Sequence, residues 1–299
     1  DSWISSSIIK NPATMQFSTY SETMDMYMGT LSAWDYTQVY MVYTASSNTL
    51  RLGGNRLPED SMHVTLRGDG QWNAFPCLFE QATSVTEALA DYYENASAGD
   101  LLKAHDRFAV FSSDKKWVGD LTALYPGEGY LFRRMGLGTV TVHFYNKTSN
   151  GAPKKAPSTN VHSAQEFFSN PNASSNMTMI AQVEMSAFST QPSEIRAYIG
   201  NELVGVAAPI DSLYFLTIQS DATGAPIRFE TEDGQVLNAQ INGQMANEQI
   251  VNVPDSHHGS LKAPVILTPD DNRPRKIIEN DHVVIIRNNE KYDVTGKKL

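Results

Sequence analysis

Tryptophan and tyrosine are gathered in two stretches of this chain, at a density suited to stacking chemistry. Trp34, Tyr36, Tyr40 and Tyr43 lie in the first; Trp117, Tyr125 and Tyr130 lie in the second. Flat aromatic faces stack on sugar rings while nearby amides and carboxylates take the hydroxyls, in concave and partly apolar sites. Trp34, Tyr36, Trp117 and Tyr125 are the candidate ligand-binding residues on this reading. Tyr40 and Tyr130 are read as core.

Other reactive residue types lead away from catalysis. Pro126-Gly127-Glu128-Gly129 resembles a phosphate loop only superficially. It lacks a third glycine, and a β-run follows it where a dinucleotide fingerprint needs a helix. A tight turn accounts for its glycines through their backbone freedom. There is no G-x-S-x-G elbow, H-E-x-x-H or Walker sequence. His257-His258 make a poor chelating pair, because adjacent strand residues point to opposite faces, and a solvated loop is the expected setting. Glu230, Glu232 and Asp233 carry calcium-type oxygens but read as the wet face of a hairpin. Cys77, the only cysteine, sits in "WNAFPCLFE" and reads as a small core hydrophobe. No catalytic residue, metal site or cofactor is expected.

Composition narrows the classes further. A chain of 299 residues with 41% apolar and 19% charged residues can bury two cores of ordinary size. Its net charge of -10 lacks the basic face of a nucleic-acid binder. One cysteine rules out an internal disulfide framework. No run of 18 apolar residues is present, so no transmembrane helix is expected.

The two aromatic stretches are copies of each other. "MYMGTLSAWDYTQVYMVYTASSNTLRL" (26–52) aligns with "KWVGDLTALYPGEGYLFRRMGLGTVTV" (116–142) at a constant offset of 90. Gly29 meets Gly119, Leu31 meets Leu121, Tyr40 meets Tyr130, Thr49 meets Thr139 and Leu52 meets Val142. Upstream, with slippage, "FSTY" meets "FAVF" and "SIIK" meets "DLLK", so the copies span about 8–52 and 100–142. Trp34 and Tyr36 replace Leu124 and Pro126, which marks them as the exposed pair. Only the second copy is preceded by "GQWNAFPCLFEQATSVTEALADYYENASAGD". The first copy thus begins part-way through a unit, and the chain reads as the C-terminal piece of a longer protein. "TSVTEALADYYEN" is the one predicted helix, with a Ser84/Glu87 capping box and Val85, Leu89 and Tyr92/Tyr93 on one face. "GYLFRR" and "TVTVHFY", split by "MGLG", predict a hairpin.

The β-rich repeat domain, with its helix, is assigned to residues 1–148. Residues 149–164, almost without apolar content, form a linker. Over 165–268, strands recur with turn signals every eight to twelve residues, the spacing of an antiparallel β-sandwich, Ig-like in general architecture. Asp233-Gly234 predicts a hairpin there. Residues 269–299 form a terminal hairpin, "HVVIIR", a turn at Asn288-Asn289, then "KYDVTGKKL". The fold class is mainly β.

"NMTMIAQVEM … EIRAYIGNELVGVAAPI … YFLTIQSD" resembles a module of exported Bacteroidetes proteins. In that module an N-M-T strand leads to A-F/Y-I/V-G-N/D-E, G-V-A and F-L-T-I. "WVGDLTALYPGEGYLF" resembles a companion pattern from the same kind of protein, and the terminal hairpin is similar to short sorting-type tails. The resemblance implies an extracellular or outer-surface location, with a non-catalytic role in adhesion or in binding a glycan or a host or cell-surface protein. Two alternatives stay open: the accessory C-terminal region of a larger secreted hydrolase, and a structural stalk or export tail.

Overall fold

Short apolar runs that alternate with polar residues, broken by glycine and asparagine, give this chain little to build but strands. The computed structural model describes residues 7–44, 55, 57–58, 61–144, 168–170, 172–241, 244–245, 250–270, 275–279, 282–287 and 290–299. It is mainly β, with 46% strand against 5% helix, in antiparallel, sandwich-like sheets. The chain divides into two units: Asp1–Ala104 with Ala109–Val161, and His105–Phe108 with His162–Leu299. The predicted linker, 149–164, lies outside the described residues, as do Thr49, Leu52, Asn288 and Asn289.

The first unit opens with β1 (Ile8–Lys10), β2 (Phe17–Ser21), β3 (Met26–Gly29) and β4 (Met41–Tyr43), a sheet ordered β3-β2-β1-β4. Then come β5 (His63–Arg67), β6 (Gln71–Pro76), β7 (Thr83–Ser84), α1 (Val85–Ala88) and β8 (Leu101–Lys103). The unit finishes with β9 (Phe108–Phe111), β10 (Trp117–Gly119), β11 (Ala123–Leu124), β12 (Gly129–Arg134) and β13 (Thr139–His143). A second sheet runs β10-β9-β8-β12-β6. Its first four strands reproduce the order of the first sheet.

The correspondence extends to register. Lys10 pairs Met41 as Lys103 pairs Leu131, and Ser18 pairs Gly29 as Ala109 pairs Gly119. Asp25 and Lys115, 90 residues apart, both take positive φ (46° and 58°) in the hairpins before β3 and β10. Gly29 and Gly119 share φ values of 143° and 151°, a region that favours glycine. A Cβ on Gly29 would lie 2.2 Å from the Phe17 carbonyl oxygen, so this position also requires the missing side chain.

In the second copy a layer of chain running through β6 and α1 covers one face. Ser84 caps α1 by accepting the Glu87 N–H (3.3 Å). The helix is much shorter than its sequence pattern, four residues followed by a 3-10 turn at Tyr93–Asn95. So short a helix is held by packing rather than propensity. Val85, Leu89 and Tyr92 are buried as the periodicity requires, while Tyr93 is exposed. They join Phe75, Phe132, Phe144 and Leu66 in a single core.

The predicted hairpin between "GYLFRR" and "TVTVHFY" does not form. Instead β12 pairs β6, and β13 pairs β5 in a separate two-stranded sheet. The intervening loop bends the chain from one sheet to the other. The Arg134 guanidinium holds the bend by donating to the carbonyls of Gly136, Leu137 and Gly138 (3.0, 2.9 and 2.7 Å).

In the second unit β14 (Asn176–Val183), β15 (Ile195–Ile199), β16 (Glu202–Ala207), β17 (Pro209–Ile210) and β18 (Leu213–Gln219) come first. β19 (Ile227–Thr231), β20 (Val236–Ile241), β21 (Gln244–Met245), β22 (His257–His258) and β23 (Val265–Pro269) complete a ten-stranded sheet. Its path is β16-β15-β19-β20-β23-β14-β18-β17, mostly antiparallel, with β22 and β23 parallel to β14. The path folds over on itself, for Gly205 of β16 lies against β18, where a Cβ would sit 2.7 Å from the Thr217 oxygen. Met179, Leu216, Val204 and Phe229 are buried in the resulting core. The Asp233-Gly234 hairpin joins β19 to β20, with Gly234 at φ 82°. At the C-terminus β24 (Arg275–Glu279) adds a third strand to the pair β25 (His282–Arg287) and β26 (Glu290–Tyr292).

One buried carboxylate fastens the covering layer of the first unit. Asp100 accepts from the Tyr92 hydroxyl (2.6 Å), the Ser97 N–H (2.8 Å) and the Met135 N–H (2.7 Å). Burial, and then the Asp100 carboxylate, push the Tyr92 hydroxyl pKa far up, so it stays a donor. Its counterpart in the first copy is Ser7, whose buried hydroxyl has no partner among the described residues. Asp100→Ala is therefore expected to cost about 3 kcal/mol by orphaning three donors. Ser7→Ala is expected to cost no more than about 0.5 kcal/mol. Urea denaturation of both variants measures the contrast.

Candidate binding surface

The glycine-rich stretch and its counterpart are two versions of one clamped loop. In the second copy the Tyr130 hydroxyl accepts the Tyr125 N–H (2.9 Å) and donates to Glu128 Oε2 (2.5 Å). Gly127 turns the chain at φ 86°. In the first copy the Tyr40 hydroxyl accepts the Asp35 N–H (2.7 Å), the same bond at an offset of 90. There Asp35 Oδ1 caps the loop by accepting the Thr37 N–H (2.8 Å) and hydroxyl (2.7 Å), an Asx-type turn that needs no glycine. Gly129 has a different reason for being glycine: its Cβ would lie 2.3 Å from Val39 Cγ1. Val39 is the residue that matches Gly129 in the repeat, so the two loops meet at equivalent positions.

Around these loops the copies diverge in burial. Leu124, Tyr130 and Phe132 are 0%, 1% and 0% exposed in the closed core of the second copy. Their counterparts are Trp34, Tyr40 and Val42. Trp34 is 48% and Val42 47% exposed, and Tyr40 is half-buried. Trp34 packs against Tyr40 in a T-shaped contact, ring centroids 4.6 Å apart. Tyr36, on the same loop, is 40% exposed. Tyr20 and Tyr27 meet at 5.3 Å, matching Phe111 and Trp117 at 5.2 Å, and Tyr27 too is exposed. Exposed aromatic rings such as Trp34 and Tyr36, which share one loop, are the kind of surface that marks an interaction site.

Of the four residues singled out by sequence, Trp34 and Tyr36 share this surface. Tyr125 is exposed on the neighbouring turn of the second copy. Trp117 serves packing: its ring lies 5.2 Å from Phe111 and 5.9 Å from Phe132, against the first core. Tyr27 and Val42 went unrecognised in the sequence. The signal was the offset of 90, which maps them onto Trp117 and Phe132.

The other reactive groups are absorbed by structure. His257 and His258 form a short strand beside β14 rather than a solvated loop, and His257 Nδ1 bonds the Thr178 hydroxyl (2.9 Å). Burial lowers the His258 pKa. Glu230 pairs with Arg228 (2.8 Å), and Asp233 accepts from the Thr231 hydroxyl. Glu232 accepts the Ser193 N–H (3.0 Å). Burial pushes its carboxyl up, but the Ser193 and neighbouring hydrogen bonds outweigh this and hold its pKa below the usual range. Glu232 and Asp233 border a polar cleft of about 380 Å³ with Phe188, Thr190 and Pro269. His63 and His143 face each other across β5 and β13, ring centroids 5.3 Å apart. Cys77 lies partly buried against the first core, its thiol pKa raised by burial. Among the described residues no group of three or more His, Cys, Asp or Glu is placed to hold a metal ion. No described helix is long and apolar enough to cross a membrane.

Contact between the two loops yields a coupled prediction. Gly129→Ala is expected to cost about 2 kcal/mol by overpacking against Val39. Adding Val39→Ala is expected to restore most of that loss, a coupling that a double-mutant cycle reads directly.

No protein-family model matches the chain, and neither a curated protein nor a solved structure matches it.

Proposed function

We propose that this chain is a non-catalytic extracellular binding module, of the kind carried by surface and secreted proteins of Bacteroidetes. On this reading it serves adhesion, contacting a glycan or a cell-surface protein through the open face of its first repeat. The observation that carries the reading is the contrast between copies. Trp34 and Val42 stand exposed where Leu124 and Phe132 are sealed in a core. An apolar side chain left in water forgoes roughly 1.5–3 kcal/mol of burial. A partner that covers Trp34, Tyr36 and Val42 recovers part of that.

The resemblance to exported modules supports the extracellular setting, and the reactive groups described above, each engaged in packing or turns, support a role without chemistry. The immobilised chain is expected to retain a ligand from an array of glycans and surface proteins. The double variant Trp34→Ala/Tyr36→Ala is expected to weaken retention at least about tenfold, by loss of stacking worth more than about 1.4 kcal/mol. Circular dichroism checks that the variant keeps its fold. Failure to retain any ligand would favour a structural stalk, and turnover of a glycoside or peptide by the isolated chain would overturn the non-catalytic assignment.

A further inference from the structure

His63 opens β5 and His143 closes β13, and the register pairs the two directly. On the next rung the Phe144 N–H donates to the Met62 carbonyl (2.8 Å). Hydrogen-bonded and non-hydrogen-bonded rungs alternate in an antiparallel ladder. His63 and His143 therefore form a non-hydrogen-bonded pair, the kind whose side chains stand closest. Val64 and Val142 point the other way, into the core, while exposed Thr65 and Thr141 follow the histidines on the outer face. Both histidines are half-buried there, with ring centroids 5.3 Å apart.

Two independent observations on this pair point to a ligand. The Nδ1 atom of His63 is buried with no hydrogen-bond partner among the described residues. Buried polar atoms are rarely left so, and neutral imidazole is the commonest metal ligand among side chains. The spacing is the second observation. A zinc ion about 2.05 Å from one nitrogen of each ring, at a tetrahedral angle, sets the ring centres about 5.2 Å apart. A square-planar ion of similar bond length would draw them to about 4.5 Å. The observed 5.3 Å matches the tetrahedral case. Asp91 adds favourable charge, for its Oδ2 accepts the His143 N–H (2.9 Å) and so holds a carboxylate at the same strand end.

We propose that His63 and His143 form a two-histidine site for a divalent transition metal, with zinc the ion that fits the geometry. One nitrogen of each imidazole ligates the ion, and water completes its shell. Among the described residues the two belong to no larger group of His, Cys, Asp or Glu able to hold a metal. The site is thus open and reversible, unlike a structural zinc centre closed by four protein ligands. Its effect is that of a clip across β5 and β13, a two-stranded sheet whose strands lie far apart in sequence. The ion stabilises the folded state because only there do the two imidazoles converge. The site is independent of the exposed aromatic residues and of the role assigned to them.

The probe is zinc chloride, titrated by calorimetry into the full chain free of affinity tag and chelator. One zinc per chain is expected, with a higher Tm at saturating zinc and slowed hydrogen exchange of the β5 and β13 amides. His63→Ala and His143→Ala are each expected to weaken zinc binding at least about tenfold, by removing one of two ligands. Cys77→Ser and the double variant His257→Gln/His258→Gln are expected to bind zinc as the parent chain does. Because either alanine variant can loosen the strand pair, a second measurement uses the parent chain alone. In its NMR spectrum two of the seven histidine ring systems, those of His63 and His143, are expected to shift with zinc. Absence of binding overturns the proposal, as does zinc binding that survives in both alanine variants. Loss of binding in Cys77→Ser or in the His257/His258 variant, or zinc shifts confined to other histidine rings, overturns it equally.

Discussion

A carboxylate with no exposed surface organises the first unit. Asp100 joins three parts of the chain that are distant in sequence or direction: the helical segment through Tyr92, the approach to β8 through Ser97, and the end of β12 through Met135. A buried charge is tolerated only when it is fully hydrogen-bonded, so the geometry around it is narrowly fixed. With Tyr92 anchored there, α1 and β6 lie over Phe132, and the sheet acquires a core. Ser7 in the same place supplies no charge, and its hydroxyl has no partner among the described residues. In the same four-strand arrangement Phe132 of the second copy is covered, while Trp34 and Val42 of the first are exposed.

What the copies share is backbone; what differs is cover. Gly29 and Gly119, the positive φ at Asp25 and Lys115, and the Tyr40 and Tyr130 hydroxyls bonded to the chain five residues earlier all specify the path of the strands. None of them depends on which face is buried. On the face, Trp34 and Val42 stand where the second copy has Leu124 and Phe132, and Ser7 stands where it has Asp100. The loops show the same economy. A glycine turn in one copy and an Asx-type turn in the other place the tyrosine alike, and Val39 occupies the space that Gly129 leaves.

The second unit solves its burial problem internally. Its ten strands fold one continuous sheet over itself, so that β16 and β18 pack closely enough to require Gly205. The acids and histidines described above in this unit are engaged in turns, ion pairing and strand pairing, which leaves the exposed aromatic residues of the first unit as the more telling surface.

Local chemistry was legible in the residues alone. Period-two alternation gave the strands, Asp233-Gly234 the hairpin and Ser84 with Glu87 the helix start, because each depends on neighbours in sequence. Matches at an offset of 90, such as Tyr40 with Tyr130, were visible for the same reason, and they pointed to Trp34 and Tyr36 as the residues freed from the scaffold. Which strand pairs which was not legible. "GYLFRR" and "TVTVHFY" look like a hairpin, yet Arg134 and the glycines after it send the two runs into different sheets. Exposure was equally hidden. Trp117 and Trp34 are alike as residues, but one lies against Phe111 and Phe132 while the other looks outward. Burial depends on which distant segments fold back over a face, as Phe75 and Tyr92 do over Phe132.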